Sequence, residues 1–589
     1  MKSKEDYPTQ THHRLNGLRL LLLAILVGSL VALAGQALLH LIHGIAALVF
    51  QPPSGSWVWL LAPVAGAALI GLISRLAKVD VSGHGIPEAM QGVIANQSRI
   101  RLKTAILKPL CTAICIGTGG PFGVEGPIIA TGGAVGSLLG QCIPHSPAQR
   151  KILLGAGAAA GMTAMFGTPL AGVLLAVELL LFEFRARSLL PVSMAAATAM
   201  FMRGLTHEPF PMLPVSFPMA PDPLIGFASL LVGGVSGLVA VGMTEALHGL
   251  ESLYEKLPFS NMGRLLLGGL SVGLIGWIDP RTLGPGYANM QNMLHTEIAA
   301  TALGTLMVLK FASWSLSLAS GTAGGTLAPV MTVGGAMGSL AGLAIQHIPG
   351  FESLPIGLMA LVGMASVFAG MSRALLASVA FAFEATQSSG TFGPLLLGCA
   401  IAICVSRLLM RHSIMTEKMA KQGIHVPEAM QPDILEYLLV KDVMNAKPVT
   451  LLESAQLDET IQACSDQHSD SYWQKTRLIP IVDEDNRLKA ILTRNEILSM
   501  LRSGSSGKGI KALHVANPAV ISIHNDSTLA QAADLMLLHD VAQLPVITND
   551  GRKTLLGVIS RKELLQARQI TQQHEFPQPG ILAALRQSK

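Results

Sequence analysis

Residues Gly119-Gly120-Pro121-Phe122-Gly123-Val124-Glu125-Gly126-Pro127 interrupt an apolar region, and Gly321-Thr322-Ala323-Gly324-Gly325-Thr326-Leu327-Ala328-Pro329 interrupt another. Gly123 and Gly325 lie 202 positions apart, as do Pro127 and Pro329, and Gly133 and Gly335. Around the last pair, Gly132-Gly133-Ala134-Val135-Gly136-Ser137-Leu138 answers Gly334-Gly335-Ala336-Met337-Gly338-Ser339-Leu340. The register holds to Gly161-Met162 and Gly363-Met364. Further on, Glu178 and Glu384 each end an apolar run at an offset of 206, which implies a few inserted residues. One long segment is therefore written twice. Irregular backbone at membrane depth survives only where protein or a watery cavity satisfies its polar groups. Two matched breaks in two halves accordingly point to a transport site.

The composition supplies the membrane. Of 589 residues, 50% are hydrophobic and 13% charged, where soluble proteins average about 25% charged. Sixty glycines and 26 methionines suit closely packed spanning helices. A polar start, Met1 to Gly17, precedes a mostly apolar run from Leu20 to Phe50 that is too long for a signal peptide and long enough to span. Lys2, Lys4, Arg14 and Arg19 precede that run and favour a cytoplasmic N-terminus. The net charge of +5 comes from scattered basic residues, which excludes a nucleic-acid footprint. The six cysteines mostly lie in apolar stretches, and Cys111 and Cys115 have no His or acidic partner beside them, so no disulfide framework or metal site is implied. No nucleophile–base or metal spacing marks an enzyme.

After Gln422 the pattern changes, and charges return from Asp433. Leu478–Val482, the turn Asp483-Glu484-Asp485-Asn486, and Leu488–Leu492 read as strand, turn, strand, with a helix over Asn495–Leu501. The unit recurs as Gln543–Ile547, Thr548-Asn549-Asp550-Gly551, Leu555–Ile559 and a helix from Lys562, with Ser503-Gly504-Ser505-Ser506-Gly507 as a flexible linker between the two.

Three Gly/Pro segments carry the chemistry. In Gly83-His84-Gly85-Ile86-Pro87-Glu88 the glycines admit close backbone approach and Pro87 suits the first turn of a helix, whose unpaired N–H groups and dipole favour an anion. Pro127 and Pro329 carry the same signal. Helix starts converging on one point bind an anion without a fixed cation that would hold it too tightly. Glu125 is a carboxylate inside such a break, and ionisable groups at membrane depth are costly and functional. Charged, it competes with the anion; protonated, it leaves. It is a natural gate and proton carrier.

In order, Gly-His-Gly-Ile-Pro, Gly-Val-Glu-Gly-Pro and Gly-Thr-Leu-Ala-Pro resemble the motifs of the CLC family of chloride channels and chloride/proton exchangers, and the paired C-terminal units resemble CBS domains. The resemblance covers about Leu20 to Gln566. It implies an α-helical polytopic membrane protein of two inverted halves followed by an α/β cytoplasmic CBS pair, and a homodimer in the lipid bilayer with a pore in each subunit. The expected domains are a cytoplasmic segment 1–17, a membrane domain 18–425 (halves 18–220 and 221–425), CBS units 426–502 and 511–570 joined by 503–510, and a tail 571–589. Both termini are expected in the cytoplasm, and the membrane to be a plasma or bacterial inner membrane.

Carried over residue by residue, Glu125 matches the external gating glutamate, and the amides of Gly85, Ile86, Thr326 and Leu327 match anion-binding positions. The resemblance also brings departures. His84 replaces the usual serine, and either donates to the anion with a charge that changes near neutral pH or stays neutral and lines a vestibule. Met415, in Ser413-Ile414-Met415-Thr416, stands where the family has a tyrosine, and a thioether cannot donate to chloride. Leu327 replaces a phenylalanine, and Leu179 stands where exchangers carry an inner proton glutamate, beside Glu178, which matches an acid of structural character. In the CBS pair, Gly557, Ser560 and Glu563 match an adenine-nucleotide motif with Glu for Asp, while Ala490, Thr493 and Glu496 also lose the glycine; a packing role at the dimer is preferred. Gated chloride transport is the leading expectation, favoured over exchange by Leu179. The alternatives are a proton-coupled exchanger of chloride or another halide, favoured by Glu125, and, remotely, a divalent-cation transporter, which would need oxygen-ligand clusters.

Overall fold

The computed structural model describes residues 10–51, 56–79, 83, 85–95, 98–142, 146–206, 210–217, 222–424, 426, 435, 438–458, 478–493, 496–497, 499 and 509–567. Two compact units divide at Met430/Gln431. The first is helical, in the order α1 (Gln10–Val49), α2 (Trp57–Ala77), α3 (Ile86–Ala95), α4 (Leu102–Gly117), α5 (Glu125–Cys142), α6 (Pro147–Phe166), α7 (Pro169–Leu175) and α8 (Ala186–Leu205). It continues through α9 (Pro223–Lys256), α10 (Asn261–Ile278), α11 (Tyr287–Leu294), α12 (Ala300–Ala319), α13 (Leu327–Gln346), α14 (Ile356–Ser372), α15 (Leu375–Thr386), α16 (Phe392–Leu409) and α17 (Glu417–Lys421). Among the described residues, eight helices are long and apolar enough to cross a membrane. Leucines on their outer faces, such as Leu22, Leu33, Leu231 and Leu274, are exposed, as a lipid-facing surface requires. Helix α1 starts at Gln10, inside the segment expected to be a polar lead-in.

The internal repeat is physical. Helix α5 packs on α6, and α13 on α14, through glycines where a side chain has no room. A Cβ added at Gly136 would stand 2.0 Å from the Leu153 carbonyl, and one at Gly338 2.3 Å from that of Met359. Small residues bring membrane helices to such distances. Gly119 and Gly321, equivalent residues, both take left-handed φ angles of 103° and 93°, a conformation open to glycine.

The two halves meet reciprocally. Gly123 N–H donates to the Gly325 carbonyl at 3.1 Å, and Gly325 N–H to that of Gly123 at 3.0 Å. Equivalent residues exchanging the same bond relate the halves by a pseudo-two-fold axis, the same logic that makes an isologous contact between subunits. The Glu178 carboxylate accepts from the Leu376 and Ala377 amides at 3.0 and 2.9 Å. Glu384 accepts from Leu170 and Ala171 at 3.0 and 2.8 Å. Each glutamate thus caps the first turn of the other half's helix, α15 or α7, satisfying amides that would otherwise have no partner.

The second unit holds two three-stranded sheets, β1 (Leu451–Leu452), β2 (Leu478–Val482), β3 (Leu488–Thr493) and β4 (Ile523–His524), β5 (Gln543–Ile547), β6 (Leu555–Ser560), each with a parallel first pair and an antiparallel second. β2, β3, β5 and β6 are the strands read from the sequence; the two-residue β1 and β4 were not read. The short helices are exchanged. Val440, on α18 (Val440–Val443), packs with Ile523, Leu529 and Leu544 of the second sheet's core, whereas Ala512, on α19 (Ala512–Val515), packs with Ile479 and Leu492 of the first. Val440 N–H donates to Ser527 at 2.8 Å and Ala512 N–H to Ala455 at 2.9 Å. The hairpins also reciprocate, Leu488 N–H reaching Lys553 O and Leu555 N–H reaching Asn486 O. The linker around Gly504, most of the helix expected over Asn495–Leu501, and the tail 571–589 fall outside the described residues.

Candidate functional site

Helices α5 and α13 both begin at the crossing of the breaks. Glu125 is the first residue of α5, and its side chain, 1% exposed, turns back over Gly123. A Cβ at Gly123 would stand 1.9 Å from either carboxylate oxygen, so only glycine leaves the space. Glu125 Oε1 accepts from the Ala328 amide at 2.7 Å, at the start of α13. Its Oε2 accepts from the Tyr287 hydroxyl at 3.3 Å. A carboxylate here is an anion bound at a helix N-terminus, in the manner of a free ion. Tyr287 opens α11 and packs edge-to-face on Phe166, ring centroids 6.1 Å apart.

The first motif reaches the same place. Gly83 bridges Ala323, Gly324 N–H donates to the Gly83 carbonyl at 3.3 Å, and a Cβ at Gly85 would stand 2.2 Å from the Gly126 carbonyl. The three segments singled out in the sequence therefore converge, with Ile86, Thr326 and Leu327 buried among them. Two details differ from expectation. The Gly85 amide donates to Glu88 Oε2 at 2.6 Å, so α3 is capped by its own carboxylate, which Lys108 approaches at 3.6 Å. The α13 amide bonded at 2.7 Å is that of Ala328, one residue past the Thr326–Leu327 pair. His84 lies outside the described residues.

Helix α17 separates two cavities. One, about 900 Å³, is lined by Leu179, Glu178 and Met90 and by Arg373, Arg407, Arg411 and His412. It is a basic vestibule, and Leu179 presents it with no titratable group where the exchanger pattern has a carboxylate. The other, about 490 Å³, reaches Gly83, Ser320 and Gly321 and is lined by His248, Glu251, Lys418 and Lys421. His248 faces two carboxylates there: Nδ1 lies 3.1 Å from Glu251 and Nε2 2.6 Å from Glu417. The second contact is close, but Nε2 has no partner in hydrogen-bond geometry. Met415, just before α17, is buried in the main apolar core with Ile414.

Tyr287, Ala328, Glu88 and the buried Lys310 were not singled out by sequence. Lys310, in the apolar stretch 300–319, was the readable signal, because a lysine at that depth is rare. No cluster of three or more His, Cys, Asp or Glu residues able to hold a metal ion occurs among the described residues.

This chain matches the voltage gated chloride channel family over residues 65–407 and the CBS domain family over 440–503 and 511–569. It belongs to the CLC family. That family consists of membrane channels and transporters, not enzymes, and the CLC fold with a following CBS pair is the architecture the sequence implied. The chain is 28% identical over 423 residues to the voltage-gated ClC-type chloride channel ClcB of Escherichia coli, covering 69% of this chain and all of that one. It is 26% identical over 390 residues to a putative chloride channel protein ClcB-like of Ralstonia nicotianae, covering 64% and 89%. Among solved structures it resembles a slow cyanobacterial Cl−/H+ antiporter (TM-score 0.63, 20% identity, 69% of this chain and 98% of that one). It also resembles a eukaryotic CLC transporter (0.58, 20%, 93% and 98%) and a CLC-type fluoride/proton antiporter (0.57, 22%, 68% and 97%).

In the CBS pair, Glu563 accepts from the Ser560 amide at 2.8 Å and also contacts its hydroxyl, and Glu496 accepts from the Thr493 amide at 2.6 Å. Both carboxylates cap their own helices, so a bound ribose would have to displace them.

Proposed function

We propose that this CLC protein passes chloride across a cell membrane, with the Glu125 carboxylate as the gate. The observation that carries this is the docking of Glu125 on the Ala328 amide at 2.7 Å. In that position the side chain occupies the helix-terminal site that a permeating anion needs. Protonation removes its charge and weakens its hold on the amide, so chloride takes the place and flux rises as pH falls. The basic vestibule beside Leu179 concentrates anions on the path to it. The chain works as a homodimer with a pathway in each subunit and both termini in the cytoplasm. The CBS pair serves as a packing module, with the nucleotide contacts of Ser560, Glu563 and Thr493 replaced by self-capping.

A proton-coupled exchanger is the second reading. The intact Glu125 favours it, and so do the described activities of two structural relatives. Leu179 counts against it, because the vestibule then lacks the inner acid.

One experiment separates these readings. The purified full chain in liposomes under an outward chloride gradient is expected to pass chloride, faster at acidic pH, and Glu125→Gln to flatten that pH dependence. Uphill proton movement driven by the gradient would establish exchange instead. Absence of any halide flux from folded protein would reject both.

A further inference from the structure

Lys310 is fully buried in the spanning helix α12, a costly placement that calls for a task. Its Nζ donates to the carbonyl oxygens of Thr282 and Gly284 at 2.9 and 2.5 Å. Those bonds fix the loop that leads into α11. Gly286, in that loop, holds a left-handed φ of 94°, and a Cβ there would stand 2.6 Å from Thr332 Oγ1 and 3.6 Å from the lysine Nζ. The next residue is Tyr287, whose hydroxyl donates to Glu125 at 3.3 Å while its ring rests on Phe166. The chain of contacts therefore runs from a buried cation, through a clamped loop, to the gate carboxylate.

We propose that Tyr287 is a positioning residue for the gate, and that Lys310 sets the loop from which it acts. This deepens the reading of Glu125 as gate and rests on it. Backbone amides, chiefly that of Ala328, and one side chain hold the docked carboxylate: the amides are common to any sequence, whereas the Tyr287 hydroxyl is lost with a single oxygen atom. Both favour the charged, docked form. With the hydroxyl gone, the charged form loses one of its donors, so the gate takes up a proton and opens at a higher pH. The charged groups around the docked carboxylate are Lys310 from α12 and, at the neighbouring start of α3, the Glu88–Lys108 pair. Tyr287→Phe leaves all of them in place and keeps the ring on Phe166.

The test is chloride flux against pH in liposomes holding full-length Tyr287→Phe. Its profile is expected to move to more alkaline pH by up to about one unit, an approximately tenfold change in the fraction open on the steep part of the curve. Lys310→Met is expected to shift the profile in the same direction, with less effect when combined with Tyr287→Phe than alone. In a Glu125→Gln background, Tyr287→Phe is expected to change nothing further. A Tyr287→Phe profile that overlays the wild type, while Glu125→Gln flattens it, would overturn the proposal and leave the gate intact. A profile that Glu125→Gln leaves unchanged would overturn the gate itself. Because Tyr287→Phe removes one oxygen and no packing, a loss of folding in Lys310→Met does not touch the deciding measurement.

Discussion

Two of the joints between the halves of the membrane unit are built by opposite rules. At the first, each half contributes the same group: Glu178 caps α15 and Glu384 caps α7, with nearly equal distances. At the second, only one half contributes a charge: Glu125 opens α5 and its equivalent opening α13 is Leu327. The symmetric joint holds two helices whose starts would otherwise lack partners. The asymmetric joint sets one carboxylate at the start of the other half's helix, the place where, on the function proposed above, an anion competes with it. A carboxylate at both starts would place like charges together and keep one protonated. Duplication builds the scaffold here, and the copies differ at the carboxylate proposed as the gate.

That contrast is open to direct attack. The largest effect is expected from Glu125→Gln against Leu327→Gln. The first should raise chloride flux at alkaline pH about tenfold or more and flatten its pH profile, since a charge-assisted hold of about 1.5–3 kcal/mol is lost. The second should leave the pH midpoint of flux in place. A shift of similar size from Leu327→Gln would mean that the two helix starts are not functionally distinct.

A middle-sized effect is expected from Glu178→Ala and Glu384→Ala. Each removes an acceptor of two backbone bonds, and with partial exposure a loss of about 2 kcal/mol is expected, read as thermal unfolding in detergent. The informative result is their equality. Unequal losses would break the claim that this joint is symmetric in energy as in geometry.

The smallest effect belongs to the second unit's own repeated turns. The Arg487 amide holds the Asp483 carboxyl below its usual range, and the Thr548 hydroxyl does the same for Asp550. A carboxyl with a lowered folded-state pKa adds stability above its unfolded value, near 4, and loses it as pH falls through the folded value. Hydrogen exchange over 478–493 and 543–560 in the full chain is expected to quicken slightly below about pH 4. Asp483→Asn and Asp550→Asn should reduce protection at pH 7, by a margin that shrinks as pH falls below about 4.

Much of this was legible in the sequence. The offset of 202 marks the repeat, and an acid in a Gly/Pro break marks Glu125, whereas the axis between Gly123 and Gly325 appears only in their reciprocal bonds. Glu178 and Glu384 were visible as matched acids, although their crossed capping was not, because it joins residues about 200 positions apart. Tyr287 escaped notice for the same reason: a hydroxyl 162 positions from its partner leaves no local pattern. The Glu88 cap could have been read, since the acid lies three residues after Gly85. Four of the second unit's strands, β2, β3, β5 and β6, followed from turn chemistry and short β-branched runs; the two-residue β1 and β4 are too short to leave a pattern. The exchange of α18 and α19 did not, because an apolar residue in a four-residue helix does not specify which of two similar cores it enters.

That exchange bears on how the protein is made. Val440 leaves the ribosome well before the strands it packs against, since its core partners begin at Ile523. The second lobe's α19 meanwhile closes onto strands already synthesised. The first lobe's core closes only when Ala516 has been made and the second's only when Ala567 has, and the long loop that Val440 closes slows folding. The pair should accordingly acquire protection late, and a chain stopped after 503 should lack not only the second lobe but also a helix of the first.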